Sequence, residues 1–195
     1  MVKQMKQTMT AITLSLVLIG LWSAPLFAAE ESEILQERYR IREVGQESLS
    51  TLYEIQPGAR YVIEHAAGYG VFSTFGIKIF FAGGGTGKGF VHNNRTKRYT
   101  YMRMVQVQGG LGFGASKDRV IWVFETQKAL ADFVNSGWDF GAKAQAAAMV
   151  QDTGGMFSGA VSVAPGVYIY RLTETGLAAE LTVSGTKYFK DGELN

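Results

Sequence analysis

The chain has 195 residues, of which 47% are hydrophobic and 18% are charged. This composition excludes an intrinsically disordered protein and a protein that crosses a membrane many times. The 24 glycines against three prolines favour close-packed strands, because an interior glycine costs a helix ~1 kcal/mol relative to alanine. The absence of cysteine excludes disulfides, thiolate metal sites, cysteine nucleophiles and a lipidated N-terminal cysteine.

The N-terminus has the order of features that is typical of a secretory signal. Lys3 and Lys6 precede an apolar stretch over residues 11–22, and Pro25 is followed by small residues up to Ala29. The apolar stretch is short for a membrane-spanning helix, which needs ~20 residues. We therefore predict a signal peptide over residues 1–28, cleaved after Ala28 or Ala29, with an uncleaved anchor as the alternative. The mature protein is expected to be periplasmic or secreted, and to lie peripherally on a membrane if it contacts one.

Removal of the signal leaves the mature chain with no net charge. Of the 19 lysines and arginines, Lys3 and Lys6 are lost, so that 17 remain against 17 aspartates and glutamates. A nucleic-acid-binding protein needs a strongly cationic face to displace counterions from phosphates. We therefore expect no nucleic-acid partner, and only local basic clusters remain as candidate binding sites.

The first part of the mature chain is predicted to be helical. Between residues 29 and 58 the apolar residues recur at roughly helical spacings, and Gly45 is expected to break this segment into two helices. The second helix should end before Pro57, because a proline disfavours the helical conformation of the preceding residue. Residues 59–67 are expected to form a further helix or a strand.

Short apolar runs separated by glycine dominate the next part of the chain and predict antiparallel strands. The polar segment His92–Arg98 is predicted to close a hairpin between two of them. The predicted strands are Val71–Phe75, Ile77–Phe81, Gly89–His92, Tyr99–Gln108 and Val120–Phe124.

A helix is predicted over Thr126–Ser136, with Thr126 as its N-cap and Gly137 at its end. Its buried residues should be Ala129, Leu130, Phe133 and Val134. The run Ala142–Val150 suits either a helix or a strand of small residues. Further strands are predicted at Val161–Val163, Val167–Leu172 and Leu177–Ser184, with a hairpin at Thr173–Gly176.

These elements predict an α+β fold. It should consist of a curved antiparallel sheet, barrel-like or sandwich-like, with N-terminal helices and one or two packing helices. No linker is visible, so residues 29–195 are expected to form a single globular unit, with residues 29–58 as its helical segment and residues 59–195 as its main domain.

Two glycine-rich segments are candidate ligand sites. The segment Gly83–Gly89 leads to Lys88 but lacks a glycine at Ala82, a hydroxyl at Gly89 and a following helix, so we expect a flexible turn and no nucleotide binding. Gly110, Gly112 and Gly114 alternate along a strand and should let another layer approach closely. A lipid chain lying on that smooth face is the alternative.

Catalytic and metal sites are not expected. His65 and His92 are the only histidines, and neither has a second histidine or a carboxylate at a metal-binding spacing. No G-x-S-x-G motif is present that would present a serine nucleophile. We therefore predict no catalytic residue, no metal and no cofactor, with a hydrolase of unrecognised site as the remaining enzymatic alternative.

Two basic clusters are candidate lipid-binding sites. Cationic loops are attracted to anionic lipid, and tyrosine suits the membrane interface. The alternative for each cluster is a solvated loop or helix face. The clusters are Arg38, Arg40 and Arg42 in the helical segment, and Arg95, Lys97 and Arg98 in the hairpin loop beside Tyr99 and Tyr101.

The order of several glycine-containing motifs resembles the SYLF domain family, from about Ala59 to the C-terminus. The motifs are Ala66–Phe72, Gly83–Gly89, Gly110–Gly114, Gly137–Ala142 and a Gly176-Leu177 pair followed by Gly185–Asp191. This resemblance implies a lipid-binding domain without established catalytic residues. Eukaryotic members of that family bind phosphoinositides, often through an N-terminal amphipathic helix, and some associate with actin.

The leading hypothesis is therefore an exported, non-enzymatic domain that binds anionic phospholipid at a bacterial cell envelope. The alternative is a periplasmic scaffold or stress-related envelope protein that binds another protein through its sheet face and has no lipid ligand.

Overall fold

The computed structural model describes residues 30–140, 157–173, 176–177 and 185–195. The predicted signal peptide, residues 1–28, lies outside these residues. The chain divides into two units, Met1–Tyr39 and Arg40–Asn195. The described part contains helices α1 (30–55), α2 (Gly58–His65) and α3 (Gln127–Ser136), and strands β1 (Gly68–Asn93), β2 (Tyr99–Phe124), β3 (Trp138–Phe140), β4 (Val161–Ala164), β5 (Val167–Thr173), β6 (Gly176–Leu177) and β7 (Gly185–Lys190).

The fold is α+β, as predicted, with one curled antiparallel sheet that forms a half-barrel. Strand β2 is its centre: β1 pairs along one edge, while β5 and β7 pair with different ends of the other edge. The order along this path is β3-β7-β2-β5-β4, and β6 adds to β5. Strands β7 and β3 were not predicted. Strand β7 pairs with Met102–Val107 of β2, and β3 pairs with β7.

The β1–β2 hairpin is much longer than predicted. Each strand has 26 residues, and the pairing runs from Gly68 opposite Phe124 to His92 opposite Tyr99, with one irregularity between Phe80 and Ala82. The prediction of five short strands in this region is wrong, because the glycines between them do not interrupt the hydrogen-bonded ladder. Gly110, Gly112 and Gly114 lie within β2, which is the strand conformation expected for them.

The prediction of a flexible turn at Gly83–Gly89 is also wrong, since this segment belongs to β1 and pairs with β2. A methyl group on Gly89 would collide with the backbone oxygen of Val71, and one on Gly87 would collide with that of Ser73. These glycines therefore allow the two halves of β1 to approach each other closely where the sheet curls.

Helix α1 runs without a break through Gly45, so the predicted division into two helices is wrong. A side chain at Gly45 would occupy the place of the Phe90 ring. The contact with this ring offsets the ~1 kcal/mol that glycine costs a helix. Residues 59–65, which were expected to form a helix or a strand, are part of α2.

Helix α3 confirms the predicted helix, with Thr126 as its N-cap and Gly137 at its end. The Thr126 hydroxyl oxygen accepts a hydrogen bond from the Ala129 backbone N–H at 3.2 Å. Gly137 follows the helix with a φ of 71°, a conformation that favours glycine. Leu130 and Phe133 are buried, while Ala129 and Val134 pack partly buried against the same core.

A largely aromatic cluster of core residues lies on the inner face of the half-barrel. Further buried residues, including Ile121, Val123 and Tyr170, lie on the outer face. Trp122 is fully buried, and its ring centroid lies 4.7 Å from that of Phe133 on α3 and 5.1 Å from that of Tyr188 on β7. Both halves of the sheet therefore contribute to one cluster under α3. Its other rings belong to Phe72, Phe124 and Trp138.

The C-terminal strands agree with the prediction where they are described. Strands β4 and β5 cover the predicted segments Val161–Val163 and Val167–Leu172. Leu172 pairs with Leu177, as expected for the predicted hairpin. Residues 142–150, whose conformation was left open, and residues 178–184 of the last predicted strand lie outside the described residues.

Tyr170, which pairs with Ile121 of β2, provides a test of the packing on the outer face of the sheet. Its side chain is fully buried, and within the described part of the chain its hydroxyl has no hydrogen-bond partner. Burial raises the pKa of this phenol to about 12. Because an unpaired buried hydroxyl costs about 1–3 kcal/mol, Tyr170→Phe should raise the free energy of unfolding by about 1 kcal/mol. Urea unfolding monitored by circular dichroism measures this change, and a loss of stability would contradict it.

Candidate functional site

The hairpin loop between β1 and β2 comprises residues 94–98, which lie within the predicted segment His92–Arg98, while His92 and Asn93 belong to β1. The side chains of Arg95, Lys97 and Arg98 are all exposed on it. The cationic part of the predicted lipid site therefore lies at the surface of the second unit.

Asn93 gives this loop a defined backbone. Its side-chain oxygen accepts hydrogen bonds from the N–H groups of Arg95 and Thr96, each at 3.0 Å. Its backbone oxygen accepts from the N–H of Lys97 at 2.8 Å, and Lys97 adopts a φ of 57°. The three cations are thus presented by a hydrogen-bonded turn.

Asn94 fastens the turn to α2. Its side-chain nitrogen donates to the backbone oxygens of Ile63 at 2.7 Å and Ala66 at 3.0 Å, which satisfies carbonyls at the C-terminal end of that helix. The Asn93 amide donates to Gln127 at the start of α3 at 2.9 Å. Both asparagines are structural residues that the sequence analysis did not single out, although an Asn-Asn pair before a basic loop is a typical turn signal.

His92 lies beneath the loop. The side-chain nitrogen of Asn94 donates to α2, which leaves Asn94 Oδ1 to face His92. This oxygen accepts a hydrogen bond from His92 Nδ1 at 3.1 Å. Burial lowers the pKa of His92, the bond to Asn94 raises it, and the charge of Lys97 lowers it, with a net decrease. The imidazole is therefore neutral at pH 7. It supports the turn through its hydrogen bond to Asn94 and adds no charge to the three loop cations.

The structure places Arg42 of the N-terminal basic cluster next to the hairpin loop. Its guanidinium carbon lies 5.7 Å from the centroid of the Tyr99 ring, within the range of a cation–π contact. The same ring packs against Phe90 at 5.1 Å and His92 at 4.6 Å between centroids. Tyr99 remains 36% exposed, so its ring is part of the surface beside the loop.

The other predicted site residues are placed differently. Tyr101 is 6% exposed, so its ring is buried. It lies opposite Phe90 of β1, whose ring packs against Gly45 of α1. Arg40 is exposed at the start of the second unit, whereas Arg38 belongs to the first unit. The loop, Tyr99 and Arg42 are called the basic loop site below.

The described residues contain no group of three His, Asp or Glu side chains that could hold a metal ion. In the same residues, no helix has the length and apolar character needed to cross a membrane.

The fold and this site define a curled α+β sheet domain with a fixed cationic loop at its surface. No family model matches the chain. The chain is similar to Beta cell expansion factor A of Aeromonas veronii, with 27% identity over 161 residues. This match covers 82% of the present chain and 59% of the relative, so the chain spans about three fifths of that protein's length.

Proposed function

We propose that this chain is an exported, non-enzymatic protein that binds anionic phospholipid at a membrane of the cell envelope. The observation that carries the proposal is the basic loop site, where Arg95, Lys97 and Arg98 project from a hydrogen-bonded turn. The resemblance to SYLF domains and the signal-like N-terminus support the same function and location.

The turn favours binding because its backbone is already ordered. Asn93 and Asn94 hold it in place, so little conformational entropy is lost when it meets a membrane. Each basic residue near an anionic surface contributes ~1 kcal/mol, which amounts to about 3 kcal/mol for the three loop cations at low salt. Salt should weaken this attraction, since the Debye length falls to ~10 Å at 0.1 M ionic strength.

The test is sedimentation of the mature protein with vesicles of phosphatidylcholine, with and without phosphatidylglycerol. The variant Arg95→Ser, Lys97→Asn, Arg98→Ser removes the loop charges, and asparagine at 97 suits the observed φ of 57°. We expect the parent to bind the anionic vesicles at low salt, and the variant to lose about tenfold or more in affinity because it lacks up to ~3 kcal/mol of attraction.

A matched control distinguishes the effect of the loop cations on vesicle binding from the effect of the total charge of the protein. Replacing Lys128, Lys187 and Lys190 by serine removes the same number of exposed cations elsewhere on the second unit. This control should bind like the parent, and circular dichroism should show both variants folded. Equal binding by the parent and the loop variant at low salt would overturn the proposal for this site.

One observation favours the protein-binding alternative. The outer face of the sheet exposes apolar side chains at Val105 (45%), Val107 (69%) and Phe189 (37%). Exposed apolar groups on a strand face are typical of protein interaction surfaces. If the parent fails to bind either kind of vesicle, and Val107→Ser abolishes the capture of a defined envelope protein, the scaffold function replaces the lipid function.

A further inference from the structure

A second polar site lies on the other half of the sheet. A cavity of about 300 Å³ opens between α1, β1, β2 and β5. It is lined by Thr51, Ser73, Lys117, Asp118, Arg119, Leu172 and Thr173. Its volume is at the lower end of the range found for small-molecule sites. The chemistry of its lining determines which ligand it fits.

Two cations face this cavity from one strand. Lys117 and Arg119 are two positions apart on β2, and alternate residues of a strand point to the same side. Ser73 of β1 lies directly opposite Arg119 in the ladder, so a hydroxyl stands beside the two cations. Within the described part of the chain, the side chains of Lys117 and Ser73 have no ion-pair or hydrogen-bond partner.

Asp118 also lines the cavity, and its carboxylate is paired with an arginine of its own. Its side chain alternates with those of Lys117 and Arg119 along β2, and the carboxylate accepts a hydrogen bond from the Arg171 guanidinium at 2.7 Å. That pair is largely buried, with 20% of the Arg171 and 13% of the Asp118 side chain exposed. Asp118 is therefore already neutralised by its own arginine.

Arg119 has a partner that an anion could displace. Its guanidinium donates to Glu47 of α1 at 3.0 Å, and the Glu47 side chain is 62% exposed. Ion pairs of this exposure contribute only ~0–1 kcal/mol, so Glu47 competes weakly with a ligand for Arg119. The cavity thus offers an ammonium, a guanidinium and a hydroxyl to one ligand.

We propose that this cavity binds the phosphate group of a phosphate ester. Lysine and arginine are the usual partners of phosphate oxygens, and a serine hydroxyl supplies a further donor. Leu172 in the lining and Phe75, which lies opposite Lys117 and is 44% exposed, provide apolar surface for the organic part of the ester. The proposal concerns a site separate from the basic loop and holds whether or not that loop binds membranes.

Titration calorimetry of the mature protein with glycerol 3-phosphate tests the proposal, with inorganic phosphate as a second ligand. Lys117→Gln should weaken the binding of glycerol 3-phosphate about tenfold, because it removes one charge-assisted hydrogen bond. Glu47→Gln should strengthen it about threefold, because it frees the guanidinium of Arg119. Lys187→Gln on β7 is the matched control and should bind like the parent.

The opposite signs of the two substitutions make the outcome decisive. Heats that are the same in the parent, Lys117→Gln and Glu47→Gln would overturn the site, as would the absence of binding by the parent at millimolar ligand. The variant Arg95→Ser, Lys97→Asn, Arg98→Ser should keep its full affinity for glycerol 3-phosphate, so failure of the lipid function and failure of this site are distinguishable.

A parallel measurement with vesicles distinguishes a phosphate ester on a lipid from one that is free in solution. Vesicles of phosphatidylcholine containing phosphatidic acid present the ester on a lipid, whereas glycerol 3-phosphate presents it free in solution. If Lys117→Gln weakens both kinds of binding, the site takes a lipid headgroup. If it weakens only the binding of glycerol 3-phosphate, the site takes a soluble ester.

Discussion

Gly89→Ala is expected to lower the free energy of unfolding by about 2–3 kcal/mol. The added methyl group would collide with the backbone oxygen of Val71 and with the Phe72 ring, in a part of β1 where both neighbours are held by the sheet. Overpacking a closely packed interior costs about 1–3 kcal/mol, and backbone atoms cannot rotate away as a flexible side chain would. Denaturation in guanidinium chloride, followed by far-ultraviolet circular dichroism, measures the change.

Gly84→Ala is the matched control in the same strand. There the added methyl group would meet only the backbone oxygen of Gln106, at 3.6 Å, which is an ordinary contact. We expect its free energy of unfolding to stay within ~0.5 kcal/mol of the parent value. If both substitutions have the same effect, the close approach of the two halves of β1 does not explain the glycine at position 89.

Asp191→Ala is expected to lower the free energy of unfolding by about 3 kcal/mol. The buried Asp191 carboxylate accepts a hydrogen bond from Arg103 Nε at 2.5 Å and one from the Glu193 backbone N–H at 3.0 Å. Removing one partner of a buried ion pair costs about 3–5 kcal/mol, and the partial exposure of Arg103 places this case at the lower end. The substitution also leaves the Leu194 backbone N–H, which donates to the same carboxylate at 3.3 Å, without its acceptor.

The same carboxylate predicts how stability depends on pH. Burial raises the pKa of Asp191, but the hydrogen bonds from Arg103, Glu193 and Leu194 outweigh burial and hold the pKa below its ordinary value. The folded protein therefore binds this proton less readily than the unfolded chain. The stabilisation is fully present above the ordinary aspartate pKa of ~3.9 and is lost as pH falls through the lower folded pKa.

Unfolding curves at a series of acidic pH values test this sign. Asp191→Ala should flatten the loss of stability below pH ~4 relative to the parent. Glu193→Ala is the control, because the Glu193 side chain is 78% exposed and its pair with Arg103 contributes only ~0–1 kcal/mol. A parent and an Asp191 variant with parallel pH profiles would exclude Asp191 as a source of acid sensitivity.

The elements whose ends are set by residues close in sequence could be predicted from the sequence. Helix α3 could be predicted because the Thr126 hydroxyl and the backbone of Gly137 complete its two ends without distant partners. The turn at residues 94–98 and the exposure of its three cations could be predicted for the same reason. The exposed loop charges are therefore the part of the candidate site that the sequence located.

The rest of the site depends on contacts between residues far apart in the chain. Arg42 reaches Tyr99 because α1 packs on the outer face of the sheet, and Ser73 reaches Arg119 because the β1–β2 register pairs them. No local pattern encodes a register over 26 residues, since a shift by two positions preserves the alternation of side chains. The cavity beside Lys117 and Arg119 could not be found from the sequence for this reason.

The fold class, helix α3, the hairpin turn and the lack of cysteine chemistry follow from composition or from residues within a few positions of one another. The role of the glycines instead depends on contacts between distant parts of the chain. Gly45 continues a helix beneath Phe90, and Gly89 continues a strand beside Val71, whereas local propensity places a break at both. Glycine has no side chain whose chemistry would predict what packs against it. Whether the chain turns or continues at a glycine therefore depends on the atoms that occupy the space beside it.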